Sequence, residues 1–133
     1  MSKRRVPMNV SRRAVLTGLA YHWAKRAAGA TVAEVAEAVV RNVRRVSLSE
    51  SRCYGILLEL ASLGYVVRRE GQHGSWRPTL QGMLHAAGYV TDGSVRVRDD
   101  VRDAITRVAA FTESELDVRA QAGQAAASLL ADP

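Results

Sequence analysis

Ser49, Ser51, Arg52 and Tyr54 stand in one short segment, and Arg68, Arg69, His73 and Arg77 are spread over another. Hydroxyls and guanidinium groups gathered in this way are suited to polyanions. An arginine fork bonds two acceptors at once and matches phosphate oxygens or the major-groove edge of guanine. Serine and tyrosine hydroxyls add contacts to phosphates or base edges. Arg44 and Arg45, with Arg41 nearby, precede the first segment and are expected to touch backbone phosphates, fixing register without reading sequence. Lys3, Arg4 and Arg5 read either as an arm tracking a groove or as a disordered basic end. Other chemistry finds little support. His22, His73 and His85 lie far apart with no ligand spacing around them, so neither a metal nor a cofactor is expected. No phosphate-cradling glycine loop or nucleophile elbow occurs, which disfavours an enzyme. Cys53 is the lone cysteine, and its place on an apolar helix side reads as core.

Charge favours the same chemistry. The chain has 133 residues, with 19 Lys and Arg against 13 Asp and Glu, a formal net charge of +6. The excess is uneven: residues 1–100 carry +8 and residues 101–133 carry −2. A basic body with a mildly acidic tail suits a polyanion partner, of which nucleic acid is the commonest. A single cysteine excludes an intrachain disulfide framework, and no apolar run is long enough to span a bilayer or to form a secretion signal. The expectation is a cytoplasmic protein with no membrane partner.

The elements that must position these residues are mostly helical. Spacing predicts a first helix over about 11–28, with Ser11 as cap and Gly29 as stop. Thr31-Val32-Ala33-Glu34 is a capping-box pattern opening a second helix to about Val43. Ser47 or Ser49 caps a third helix, with Cys53, Ile56, Leu57, Leu60 and Leu63 on one side and Gly64 as stop. Arg52, Ser51, Tyr54 and Gly55 then point outward, and Glu59 is expected to turn toward another helix. Residues 65–70 and 75–79 read as two strands around Gly71-Gln72-His73-Gly74, with Pro78 placing this hairpin at a sheet edge. Trp76 is expected to pack the hairpin onto the helices. A fourth helix starts near Thr79 and reaches Gly88, and 90–95 reads as a short hairpin or tight connector centred on Asp92-Gly93. Helix returns from Asp99, breaks near Thr112 at a further capping-box candidate, and ends near Leu130.

Three helices followed by an edge hairpin, in this order, predict a winged helix-turn-helix: mainly α with a small β-hairpin wing, an α+β fold with a C-terminal helical extension. Ser51-Arg52-Cys53-Tyr54, Leu57, Leu60 and Gly64-Tyr65-Val66 resemble the recognition helix and following strand of PadR-type transcription regulators. Thr79-Leu80-Gln81-Gly82-Met83-Leu84 resembles the Thr-x-x-Gly segment that follows the wing in PadR and MarR relatives. The chain departs from the PadR pattern at Ser51-Arg52, where Gly-Thr is usual, at Leu58, where a polar residue is common, and in lacking His-Gly-Tyr in the first helix.

The reading that follows is a DNA-binding domain over 1–90 and a helical extension over 91–133. Its function is expected to be sequence-specific transcription regulation on double-stranded DNA, more in keeping with a repressor. The helix at 49–63 is expected to read the major groove and the wing at 65–79 to meet phosphates or the minor groove, its hairpin putting Arg68, Arg69, His73 and Arg77 close together. A homodimer is expected, paired through the stripe Val101, Ile105, Val108, Phe111 and Leu116. Two alternatives stay open: a winged-helix protein-docking module using Tyr54, Leu58 and the wing, and an effector-gated regulator with a small-molecule pocket near Trp23 and Phe111.

Overall fold

A computed structural model describes residues 8–69, 75–111, 118 and 121–123. The basic end 1–7, His73, the capping box at 112–115 and Leu116 lie outside the described residues. The chain is mainly helical with one small antiparallel sheet, an α+β arrangement: α1 (Val10–Arg26), α2 (Val32–Asn42), α3 (Glu50–Ser62), β1 (Val66–Arg68), β2 (Trp76–Pro78), α4 (Leu80–Asp92) and α5 (Asp99–Ala109). Among the described residues, no helix is long and apolar enough to cross a membrane.

Local chemistry sets most boundaries. Thr31 and Glu34 form a reciprocal capping box, with the Glu34 amide donating to Thr31 Oγ1 at 3.1 Å and the Thr31 amide to Glu34 Oε1 at 2.9 Å. Ser49 caps α3, accepting from the Arg52 amide at 3.2 Å, and Thr79 caps α4. The sequence expectations for the two ends of α1 and for 90–95 need correction. Asn9, not Ser11, caps α1, taking the Arg12 amide at 2.9 Å; asparagine is among the strongest caps. Helix α1 then stops at Ala27, which itself takes the left-handed conformation at φ 52°. Gly29 has a different duty: a Cβ there would lie 2.6 Å from the Ser75 Cβ, so its lack of a side chain lets the ribbon approach. The other correction concerns 90–95. Val90, Thr91 and Asp92 continue α4, and Gly93 ends it at φ 81°, so Asp92-Gly93 is a helix stop rather than a hairpin turn.

The sheet is small but well tied. Val66 pairs with Pro78, Val67 with Arg77 and Arg68 with Trp76. Ala30, between α1 and α2, exchanges two backbone hydrogen bonds of 2.8 Å with Trp76. Strand β2 therefore lies between β1 and Ala30, and the ribbon is anchored to the start of α2.

One core holds these elements together. Leu16, Leu19, Val39, Leu57, Leu60, Trp76 and Met83 are fully or almost fully buried in the same cluster as Val101, Ile105 and Val108 of α5. Helix α5 packs on α1 and α4, which corrects the assignment of its apolar stripe to a dimer interface. Val101, Ile105 and Val108 are consumed by their own chain, and Phe111 is half-buried. Periodicity revealed a stripe that must be covered, and α1 with α4 covers it. Arg98 fastens the same junction: its guanidinium donates to the Arg41 carbonyl at 3.2 Å and to Asn42 Oδ1 at 2.9 Å, closing the C-terminus of α2.

Two titratable groups, buried Cys53 and half-buried His22, have consequences. Burial pushes the Cys53 thiol up to about 11, with Glu50 adding to the shift, so it stays protonated at neutral pH and behaves as core. His22 is held below its ordinary value, chiefly by burial, despite Glu34 Oε2 at 3.7 Å from Nε2. The folded state thus prefers neutral His22, whereas the unfolded chain takes up the proton near pH 6.5. Stability is expected to fall as pH drops through that value, until the folded imidazole also protonates. Thermal melts at intervals from pH 7.5 to pH 5 should show the fall, and His22→Gln should flatten it; an unchanged slope in that variant would refute the assignment.

Candidate nucleic-acid interface

Helix α3 is amphipathic in a simple way. Cys53, Ile56, Leu57 and Leu60 are buried, while Ser51, Gly55, Leu58 and Ser62 recur at i, i+4, i+7 and i+11 and are exposed. At 3.6 residues per turn these four make one outward ridge. The ridge is low: a Cβ added at Gly55 would meet nothing within 4 Å. Cationic groups border it rather than crown it. Arg52 is exposed on the flank it shares with Glu59, and Tyr54 lies on the other flank, toward the ribbon. Glu59 turns to α1, where the Arg12 guanidinium binds it. That contact pairs a half-exposed carboxylate and braces α3 against α1.

The Tyr54 flank is built by aromatic packing. Trp76 is 1% exposed, so it packs the ribbon onto the helices. Its ring meets Tyr54 edge-on at 6.3 Å between centroids. The Arg68 guanidinium lies 5.5 Å from the Trp76 centroid and 5.9 Å from that of Tyr54, held by the negative faces of both rings. Alternation along the ribbon separates its cations. Arg68 shares a face with Trp76, whereas Arg77 opposes Val67 on the other face. Arg69 follows β1, exposed, with its amide on the Ser75 carbonyl at 2.8 Å. The expectation that the ribbon arginines converge is therefore met only in part: Arg68 borders α3, and Arg77 is half-buried and turned away from it.

The remaining expected residues lie on the last turn of α2, on the turn that follows and at the start of α3. Ser49 commits its acceptor to the cap, and its hydroxyl proton stays available to an outside acceptor. Ser51 is exposed. Arg44 and Arg45 are exposed on the α2–α3 turn. Arg41 is drawn off by Glu37 at 2.9 Å, one helical turn back. Among the described residues, Arg44, Arg45, Arg52 and Arg69 take part in no ion pair. Sequence reasoning missed two participants. Arg12 acts on the site through Glu59, and Arg96, from the α4–α5 connector, sits beside Arg44 and Arg45. Neither spacing nor composition brings Arg96 near the turn; only the tertiary fold does.

Family models, known proteins and solved structures offer no match to this chain. The surface must be judged on its own chemistry.

No metal site competes with it: among the described residues no three His, Cys, Asp or Glu side chains are grouped to hold an ion. A concavity of about 420 Å³ does lie between α1 and α5, lined by Tyr21, Lys25, Asp100, Asp103, Arg107 and Phe111, among others. Phe111 is part of it as expected. Trp23, 2% exposed, is inside the core instead.

Proposed function

We propose that this chain is a winged helix-turn-helix DNA-binding transcription regulator, with α2 and α3 as the helix-turn-helix, α3 as recognition helix and β1–β2 as the wing. The observation that carries the reading is the exposed ridge of α3, bordered on one flank by Arg52 and on the other by the ring-mounted Arg68. An exposed helix face fits the major groove, and Arg68 on its flank suits a phosphate of the strand that walls it. Ser51 and Arg52, at the N-terminal end, are in the part of a recognition helix that reaches base edges. Arg44, Arg45 and Arg69 serve as phosphate contacts. The regulatory mode is promoter occlusion, in keeping with a repressor. A homodimer remains part of the proposal, its contact surface distinct from the buried α5 stripe; light scattering at micromolar concentration decides it, a strict 14.4 kDa particle removing it.

Base reading and phosphate anchoring separate in binding experiments. Arg52→Ala is expected to weaken binding to a selected duplex by about 1–3 kcal/mol and to leave random duplex nearly untouched. Arg69→Ala should weaken every sequence alike and lower the salt slope by about one. Equal losses on selected and random DNA for Arg52→Ala would contradict its role.

One observation favours a second reading. Tyr54 and Leu58 are 38% and 45% exposed, an apolar pair one turn apart on α3 that suits a protein partner. Absence of any affinity for random duplex at low salt, with Leu58→Asp blocking a captured protein, would favour that docking role.

A further inference from the structure

Arg44, Arg45 and Arg96 border one concavity of about 320 Å³, whose other lining is Val10, Ala14, Val43, Val46 and the Gly93–Val95 turn. No carboxylate lines it, and among the described residues none of the three guanidinium groups has an ion-pair partner. Asp92 is adjacent in sequence but is occupied in its own turn, accepting from the Ser94 amide at 2.8 Å. The two walls are tied by the Arg44 amide donating to the Arg96 carbonyl at 3.0 Å. Val10 brings the positive end of α1, a 17-residue helix, to the rim. Arg45 adopts the left-handed conformation at φ 61°, which residues other than glycine, asparagine and aspartate seldom accept. A strained residue with a charged, unpartnered side chain at the mouth of a cationic hollow indicates that the side chain is wanted there. Three like charges so placed repel one another until an anion arrives.

We infer that Arg44, Arg45 and Arg96 form a phosphate-binding site. Guanidinium forks bond phosphate oxygens in bidentate fashion, and the hollow has room for the group together with what it is attached to. Resting on the regulator reading, the phosphate is a backbone phosphodiester of the same duplex, gripped beside the N-terminus of α3; a free phosphorylated small molecule offers the same chemistry. Arg96 is the new member, contributed by the connector that leads into α5, so this site would couple the α5 side of the molecule to DNA docking.

The full chain and two probes, a random-sequence duplex and inorganic phosphate, test this. Arg96→Ala is expected to lower duplex affinity equally for all sequences and to reduce the slope of log affinity against log salt by about one, measured between about 50 and 200 mM, with Arg96→Lys restoring most of both. Arg45→Asn removes a charge at a position asparagine tolerates, so it should weaken binding while the melting temperature holds or rises. Inorganic phosphate is followed through amide shifts at 44–46 and 94–96. Saturable shifts lost in Arg96→Ala, beside an unchanged duplex slope, assign the site to a free phosphorylated ligand. The same shifts in a protein that binds no duplex at all keep the site and refute the regulator reading. An unchanged duplex slope and no phosphate-dependent shifts together overturn the site.

Discussion

Gly82→Ala is expected to cost about 3 kcal/mol of folding stability, at the upper end for adding a methyl group to a packed interior. A Cβ at this position would lie 1.9 Å from the Tyr65 carbonyl oxygen and 2.9 Å from its carbon. Tyr65 cannot step aside cheaply. Its carbonyl accepts from the Thr79 amide at 3.0 Å, and its amide donates to the Leu60 carbonyl at 3.0 Å. Thr79 locks the same crossing: Oγ1 accepts from the Gly82 amide at 3.0 Å and donates to the Gly64 carbonyl at 2.8 Å. The Thr79-Leu80-Gln81-Gly82 segment thus caps α4 and lets that helix pass directly against the chain leaving α3. Urea unfolding should show a lower midpoint with an unchanged slope. A loss below about 1 kcal/mol would mean that the crossing can relax, contrary to this account.

Trp76→Ala should cost about 3–5 kcal/mol, the range for removing a buried aromatic side chain. The indole is the largest fully buried side chain and joins three elements, through the Ala30 bridge, the Tyr54 edge contact and the Arg68 face contact. The loss should carry over to binding, because Arg68 then lacks its platform. Trp76→Phe, retaining a ring, should keep more of both. Guanidinium unfolding of the two variants checks the order. An alanine variant as stable as the parent would show that the ribbon is not secured by this residue.

Much of this arrangement was legible in the chain because its signals are local. Thr31 to Glu34 spells a cap that needs no distant partner, and the change from helical to alternating period at Tyr65 marks the ribbon. The polar start and aliphatic flank of α3 follow from one turn of helix to the next. The place of Glu59 one turn beyond the polar start directs it toward another helix, and Arg12 receives it. What escaped is tertiary. The stripe Val101, Ile105, Val108 must be covered, but periodicity does not say by which surface, and α1 with α4 covers it. Asp92-Gly93 has the same composition whether it turns a hairpin or ends a helix; the apolar Tyr89 and Val90 just before it, both buried, decide for the helix. Alternation hid the divergence of Arg68 from Arg77, which only the strand register resolves. Arg96 reaches Arg44 because the α4–α5 connector passes along the end of α2, a relation that no spacing encodes.

Selection of bound duplexes from a random pool, at low salt and with the full chain, tests the central claim most directly. Enrichment of a common sequence whose binding depends on Arg52 is expected, on a background of salt-sensitive affinity for any duplex. A pool from which nothing is retained, even at low salt, would contradict it.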